Sequence, residues 1–103
     1  MLHVDDLVSF ISKAIEVQKT PFELYNVGSG RTISVKDLAK KIIELSGKHI
    51  SIVHDLGKPT ISTSLALDCG KASREIGWKP QIDLDEGILR TLTWYRKHLS
   101  CIL

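Results

Sequence analysis

Apolar side chains recur at helical spacing from Val4 through Leu7, Val8 and Ile11 to Ile15, which predicts an amphipathic helix. Asp5 is its expected N-cap, and its end is expected near Thr20-Pro21, because proline disfavours helical geometry in the residue before it. Phe22 to Val27 then reads as a strand closed by Gly28-Ser29-Gly30. Ser34, with Asp37 three residues on, forms a capping arrangement that opens a second helix. Val35, Leu38, Ala39, Ile42 and Ile43 are its buried stripe, and Gly47 suits the C′ position. Ile50 to His54 alternates apolar and polar residues, as a second strand does.

Strand, helix and strand within about thirty residues make a βαβ unit, with a parallel pair and a right-handed crossover. Asp55 to Leu67 is interrupted by Gly57 and Pro59 and kept polar by Ser62, Thr63 and Ser64, so an extended loop is expected there. Asp68 caps a short helix that stops at Gly77, and Asp83, with Glu86 behind it, caps the last one. Leu84, Ile88, Leu92, Tyr95 and Leu99 form the last helix's apolar face. Trp78, Trp94 and Tyr95 are expected to close the core between these final helices. The sum is an α/β unit of about four helices with a short, mostly parallel sheet of two or three strands.

Composition narrows the function classes. A chain of 103 residues fits one small domain or part of a larger one. A net charge of +2 is too slight to point to nucleic acid or an anionic membrane. No apolar run approaches the roughly 20 residues of a membrane span, and Asp5-Asp6 interrupts any secretory leader. Cys69 and Cys101 stand far apart with no partners at metal-ligand spacing, the pattern of reduced thiols in a cytoplasmic protein.

Candidate chemistry is sparse. Gly28-Ser29-Gly30 lies between a predicted strand and a helix, where a phosphate loop sits. The residues that follow are Arg31, Thr32, Ile33 and Ser34, so neither glycine-rich nucleotide motif is completed. A plain glycine turn is the expectation. The acidic pairs Asp5-Asp6 and Asp85-Glu86 fall in first turns of helices, where carboxylates favour the N-terminal dipole. His3, His49, His54 and His98 form no ligand pair, so no metal site is expected. No nucleophile elbow occurs. Lys58, with Ser62, Thr63 and Ser64 nearby, is the group best placed to receive an anion.

Several phrases in order then carry a resemblance. They are His3-Val4-Asp5-Asp6-Leu7, Tyr25-Asn26-Val27-Gly28-Ser29-Gly30, Ile33-Ser34-Val35-Lys36-Asp37-Leu38, Asp68-Cys69-Gly70-Lys71-Ala72, Ile76-Gly77-Trp78-Lys79-Pro80, and Leu84-Asp85-Glu86-Gly87-Ile88 with Thr93-Trp94-Tyr95. Together they resemble the C-terminal third of extended short-chain dehydrogenase/reductases, the NAD-dependent sugar-nucleotide epimerase/dehydratase family. The resemblance covers nearly the whole chain.

It implies that residues 1–103 are a single substrate-binding lobe of an isomerase or lyase, beginning past the family's catalytic residues as a truncated reading frame would. The Rossmann domain that holds NAD or NADP is then absent from this chain, which carries no cofactor or catalytic residue of its own. The family's Tyr-x-x-x-Lys pair is missing, since Tyr25 is followed four residues later by Ser29 and Tyr95 by Leu99. Implied partners are a nucleotide-sugar substrate, the missing Rossmann domain and a second copy in a homodimer.

Family members carry an arginine-proline pair ahead of the Asp-x-x-Lys-Ala helix, and the arginine binds the substrate diphosphate. Here Lys58-Pro59 stands at that spacing; lysine keeps the charge but loses the planar fork. The polar companions expected after the pair are replaced by Ile61, Thr63 and Ser64. Lys58, Ser62, Thr63, Ser64 and Asn26 are the substrate-binding candidates the resemblance implies. A competing expectation is a stand-alone, non-catalytic binding or protein-interaction module derived from the family.

Overall fold

The computed structural model describes residues 1–60 and 62–102, with side chains described up to residue 99 except at 61. The elements are α1 (Val4–Val17), α2 (Val35–Ser46), one π-helical turn (Ala72–Ile76) and α3 (Leu84–Ile102). α1 begins one residue before the expected cap. His3 is the N-cap, with extended backbone, and its Nδ1 accepts from the Asp5 amide at 3.2 Å. Asp5 and Asp6 fall in the first turn, and Gln18 closes the helix on the Ala14 carbonyl at 2.8 Å.

The other caps are as the local chemistry dictates. Ser34 Oγ accepts from the Asp37 amide at 3.0 Å and donates to its carboxylate at 2.6 Å. Gly47 ends α2 at φ 69° and Gly77 ends the π turn at φ 65°, conformations in which glycine has no Cβ penalty. Asp68 accepts from the Gly70 amide at 2.8 Å, and Asp83 from the Glu86 amide at 2.8 Å.

The expected α/β class is not what forms. Among the described residues there is no strand, and segments 22–27 and 50–54 run irregular and unpaired, so neither the sheet nor the βαβ crossover exists. The first segment is nevertheless covered along one side. Glu23, Tyr25 and Val27 turn toward the π turn, while Phe22 and Leu24 are left exposed. One-sided cover does not supply a neighbouring ladder to take the backbone hydrogen bonds. Segment 50–54 has neither a partner nor cover, and Val53 is exposed.

Packing falls into two parts: α1 meets the π turn, and α2 meets α3. The first holds the core, where Phe10, Ala72, Ile76 and Trp78 are buried and Leu2, Ala14, Tyr25 and Val27 pack around them. The Phe10 ring meets Trp78 edge-on at 5.3 Å and Tyr25 at 5.7 Å, the geometry aromatic quadrupoles favour. Trp78 Nε1 donates to Ser9 Oγ at 2.8 Å, so the indole enters the core without stranding its donor. Trp94 and Tyr95 do not join it; both are exposed on α3. The α2 stripe is also less covered than expected, since α2 has no buried residue and Val35 is exposed. The radius of gyration is 17.2 Å, against about 13 Å for a compact chain of this length.

Asp6 is 3% exposed, on the inner face of α1. Its two oxygens accept from the Gln81 and Ile82 amides at 2.9 and 3.0 Å. Lys13, two turns along, donates to the Gly77 carbonyl at 2.9 Å. One stripe of α1 thus satisfies the backbone of the segment leading into α3. Segment 23–25 is fixed differently. Lys71 Nζ reaches Glu23 at 2.7 Å, the Leu24 carbonyl at 3.2 Å and the face of the Tyr25 ring at 4.8 Å, while Tyr25 Oη donates to Glu75 at 3.1 Å.

Two predictions follow from these contacts. Asp6→Asn keeps one acceptor but turns an amide toward a backbone N–H, and should lower unfolding free energy by about 2 kcal/mol, read from the urea midpoint. The second concerns pH. The Lys71 hydrogen bond holds the Glu23 carboxyl below its ordinary value, so its contribution is present above about pH 4.3 and disappears as pH falls through the folded value. The Glu23 hydrogen bond raises Lys71 in turn, so that contribution is present below about pH 10.4 and disappears as pH rises through the folded value. The Tyr25 ring resonances should therefore shift at both extremes, and Lys71→Met should raise the midpoint of the acid-side shift.

Candidate functional site

The irregular stretch after α2 carries most of the candidate residues. Asp55 folds back on itself there: its Oδ1 accepts from the Gly57 amide at 3.0 Å, and its carbonyl from the Lys58 amide at 3.4 Å. This aspartate turn is short-range chemistry, and it presents Lys58 at the surface. Lys58, Ser62, Thr63 and Ser64 are all exposed; Ile61 lies outside the described residues. An exposed ammonium with three hydroxyl residues close behind it in the sequence offers one charge and several donors to an oxyanion.

Asn26 sits elsewhere. Its Nδ2 donates to the Asp68 carbonyl at 3.3 Å, pinning segment 22–27 to the turn that opens the π helix. Lys58 and the three hydroxyl residues thus share one segment, and Asn26 is anchored near that segment's far end. Among the described residues no hydrogen bond joins Lys58 to Asn26, and no described cavity is lined by both.

A cleft of about 800 Å³ opens instead between α2 and α3. Its walls are apolar, with Ile33, Leu38 and Ile42 on one side and Ile88 and Leu92 on the other. Lys41 Nζ meets Asp85 Oδ1 at 2.6 Å and joins the two helices along one edge; that hydrogen bond raises the lysine pKa. Arg96 donates to the Ser46 carbonyl at 2.9 Å and secures the other end of the pair. Ser29, Arg31 and Thr32 also line the cleft. Gly30 adopts φ 67°, and Ser29 Oγ accepts from the Arg31 amide at 3.3 Å, so the loop that sets Arg31 there is locally fixed. With Lys41 engaged by Asp85, Arg31 is the cation of this cleft that no described carboxylate pairs.

Arg31 was passed over in the sequence because it spoils a phosphate-loop motif. The signal that could have found it is its place: a cation directly behind a glycine, between a half-buried segment and a helix cap. Among the described residues no three of His, Cys, Asp and Glu gather as metal ligands, and no helix is long and apolar enough to cross a membrane.

Comparison with known proteins supplies what the geometry does not. No protein-family model matches the chain. No solved structure matches it either. Curated proteins do. A probable GDP-L-fucose synthase 1 of Oryza sativa subsp. japonica is 36% identical over 94 residues, 91% of this chain and 28% of that protein. A dTDP-glucose 4,6-dehydratase of Streptomyces antibioticus is 34% identical over 96 residues, 92% of this chain and 28% of that protein. A dTDP-4-dehydro-6-deoxy-D-allose reductase of Streptomyces bikiniensis is 33% identical over 97 residues, 94% of this chain and 29% of that protein. The chain spans less than a third of the length of these relatives, and the match falls in their C-terminal part. Over that span the chain belongs to the sugar-nucleotide epimerase/dehydratase family of extended short-chain dehydrogenase/reductases.

Proposed function

We propose that residues 1–103 form the nucleotide-sugar-binding lobe of a cytoplasmic epimerase or dehydratase, whose hydride chemistry belongs to a separate Rossmann domain. The observation that carries this reading is the alignment of more than nine-tenths of the chain with the C-terminal part of proteins named for GDP- and dTDP-linked sugars. NAD or NADP, bound by that other domain, supplies reversible oxidation of the sugar. The residues of this chain bind and orient. Lys58 meets a phosphate oxygen as a point charge, the hydroxyls of Ser62, Thr63 and Ser64 complete its shell, and Asn26 contributes through the turn it anchors. Arg31, in the cleft between α2 and α3, is a second cation within the same lobe.

The test is a titration of the isotopically labelled chain with UDP-, GDP-, CDP- and dTDP-glucose, followed by NMR. Shifts concentrated at residues 58–64 are expected at millimolar ligand. Lys58→Met should weaken binding about tenfold, the loss of one charge-assisted hydrogen bond. An absence of shifts with all four ligands would remove the binding role.

A further inference from the structure

α2 and α3 pack side by side, yet α2 has no buried residue. Leu38 and Ile42, one turn apart on its inner stripe, line the cleft opposite Ile88 and Leu92, and Ile42 is still 38% exposed. The helices are tied by Lys41 on Asp85 and by Arg96 on the Ser46 carbonyl, so the chain itself builds the gap between them. Its volume of about 800 Å³ lies within the roughly 300–1,000 Å³ of small-molecule sites.

Most polar groups along this cleft are already committed. His3 Nδ1 accepts from the Asp5 amide at 3.2 Å, and Lys41 and Asp85 pair with each other. Asp83 accepts from the Glu86 amide at 2.8 Å, in the first turn of a helix whose dipole favours a carboxylate. The Thr91 hydroxyl donates back to the Gly87 carbonyl at 2.8 Å. Arg31 differs: among the described residues its guanidinium has no side-chain partner. Its backbone is nevertheless fixed, because Ser29 Oγ accepts from its amide at 3.3 Å and donates to its carbonyl at 3.5 Å.

We infer that the cleft binds a small amphipathic carboxylate, of the class of medium-chain fatty acids. The carboxylate meets the Arg31 guanidinium, and the alkyl tail lies between α2 and α3. A guanidinium takes a carboxylate through two parallel hydrogen bonds, and one uncommitted cation matches one negative charge. The walls suit the tail, which asks for no polar partner, whereas sugar hydroxyls and a diphosphate find few free groups there. Length agrees as well, since α2 rises about 10 Å from Val35 to Ile42 at its helical pitch. This site is separate from the proposed nucleotide-sugar contacts, because Lys58, Ser62, Thr63 and Ser64 line no part of it.

Titration of the isotopically labelled chain with hexanoate, octanoate and decanoate, each below its micellar concentration, tests the assignment by NMR. Methyl shifts are expected at Leu38, Ile42, Ile88 and Leu92, with affinity rising about threefold per added methylene. Arg31→Met should weaken octanoate about tenfold and leave the affinity for octanol unchanged. Because Arg31 is exposed, the variant should keep the helical circular dichroism of the parent chain. Equal octanoate affinity in Arg31→Met would overturn the inference. So would shifts of the same size at Ile11 and Ile15, which are exposed on α1, since binding would then be general adsorption to apolar surface.

A second arm adds dTDP-glucose to the octanoate complex. Octanoate should stay in place; its displacement would assign the cleft to the sugar nucleotide and overturn the inference. Octanoate in the cleft with no response of residues 58–64 to any sugar nucleotide removes only the proposed function. Sugar-nucleotide shifts at 58–64 with cleft methyls unmoved by all three carboxylates remove only this inference.

Discussion

The structure depends first on where the Asp6 carboxylate goes. A buried carboxylate is costly unless its oxygens are hydrogen-bonded, and here each oxygen takes one backbone amide, from Gln81 and Ile82. The exchange serves both sides. Residues 77–82 have no helix or ladder of their own to use their polar groups, and α1 meets that need from one stripe, with Asp6 on the amides, Ser9 on the Trp78 indole and Lys13 on the Gly77 carbonyl. Once that segment is fixed, Asp83 is in place to cap α3, and α3 carries α2 through Lys41-Asp85 and Arg96-Ser46. The two packing units, also tied by the Asp5-Arg90 pair between α1 and α3, are thereby held as one chain.

What could be read in the sequence was chemistry that acts over three or four residues. The Ser34-Asp37 box, the Asp68 and Asp83 caps, and the left-handed glycines at 47 and 77 all form where residue type alone places them. The Asp5 cap was displaced by His3, whose ring nitrogen does the same work two residues earlier. The sheet was not legible because a ladder is a relation between distant segments, which neither the residue types of 22–27 nor the alternation of 50–54 records. Asp6 was hidden for the opposite reason. A carboxylate in a first helical turn already has a sufficient local explanation in the helix dipole, so nothing in the sequence called for the distant amides it serves.

The candidate site shows the same division. The turn that presents Lys58 follows from Asp55 and Gly57, but the role of Lys58 rests on resemblance, since an exposed lysine among hydroxyls is common on any surface. Asn26 proved to be engaged in holding the Asp68 turn, a tertiary contact across 42 residues that no local pattern announces. Arg31 and its cleft needed α2 and α3 to be side by side before they meant anything.

The Asp6 contact joins residues 75 and 76 positions apart, and everything from the end of α1 to the π turn lies inside the loop it closes. Closure entropy grows only logarithmically with loop length, about 0.6 kcal/mol for each doubling. Residues can therefore be added to or removed from the 55–67 stretch at little thermodynamic expense, so long as the two ends still meet. The part of the lobe proposed to contact ligand is thus the part whose length evolution can alter most freely, while the stripe on α1 that anchors the loop has almost no such latitude.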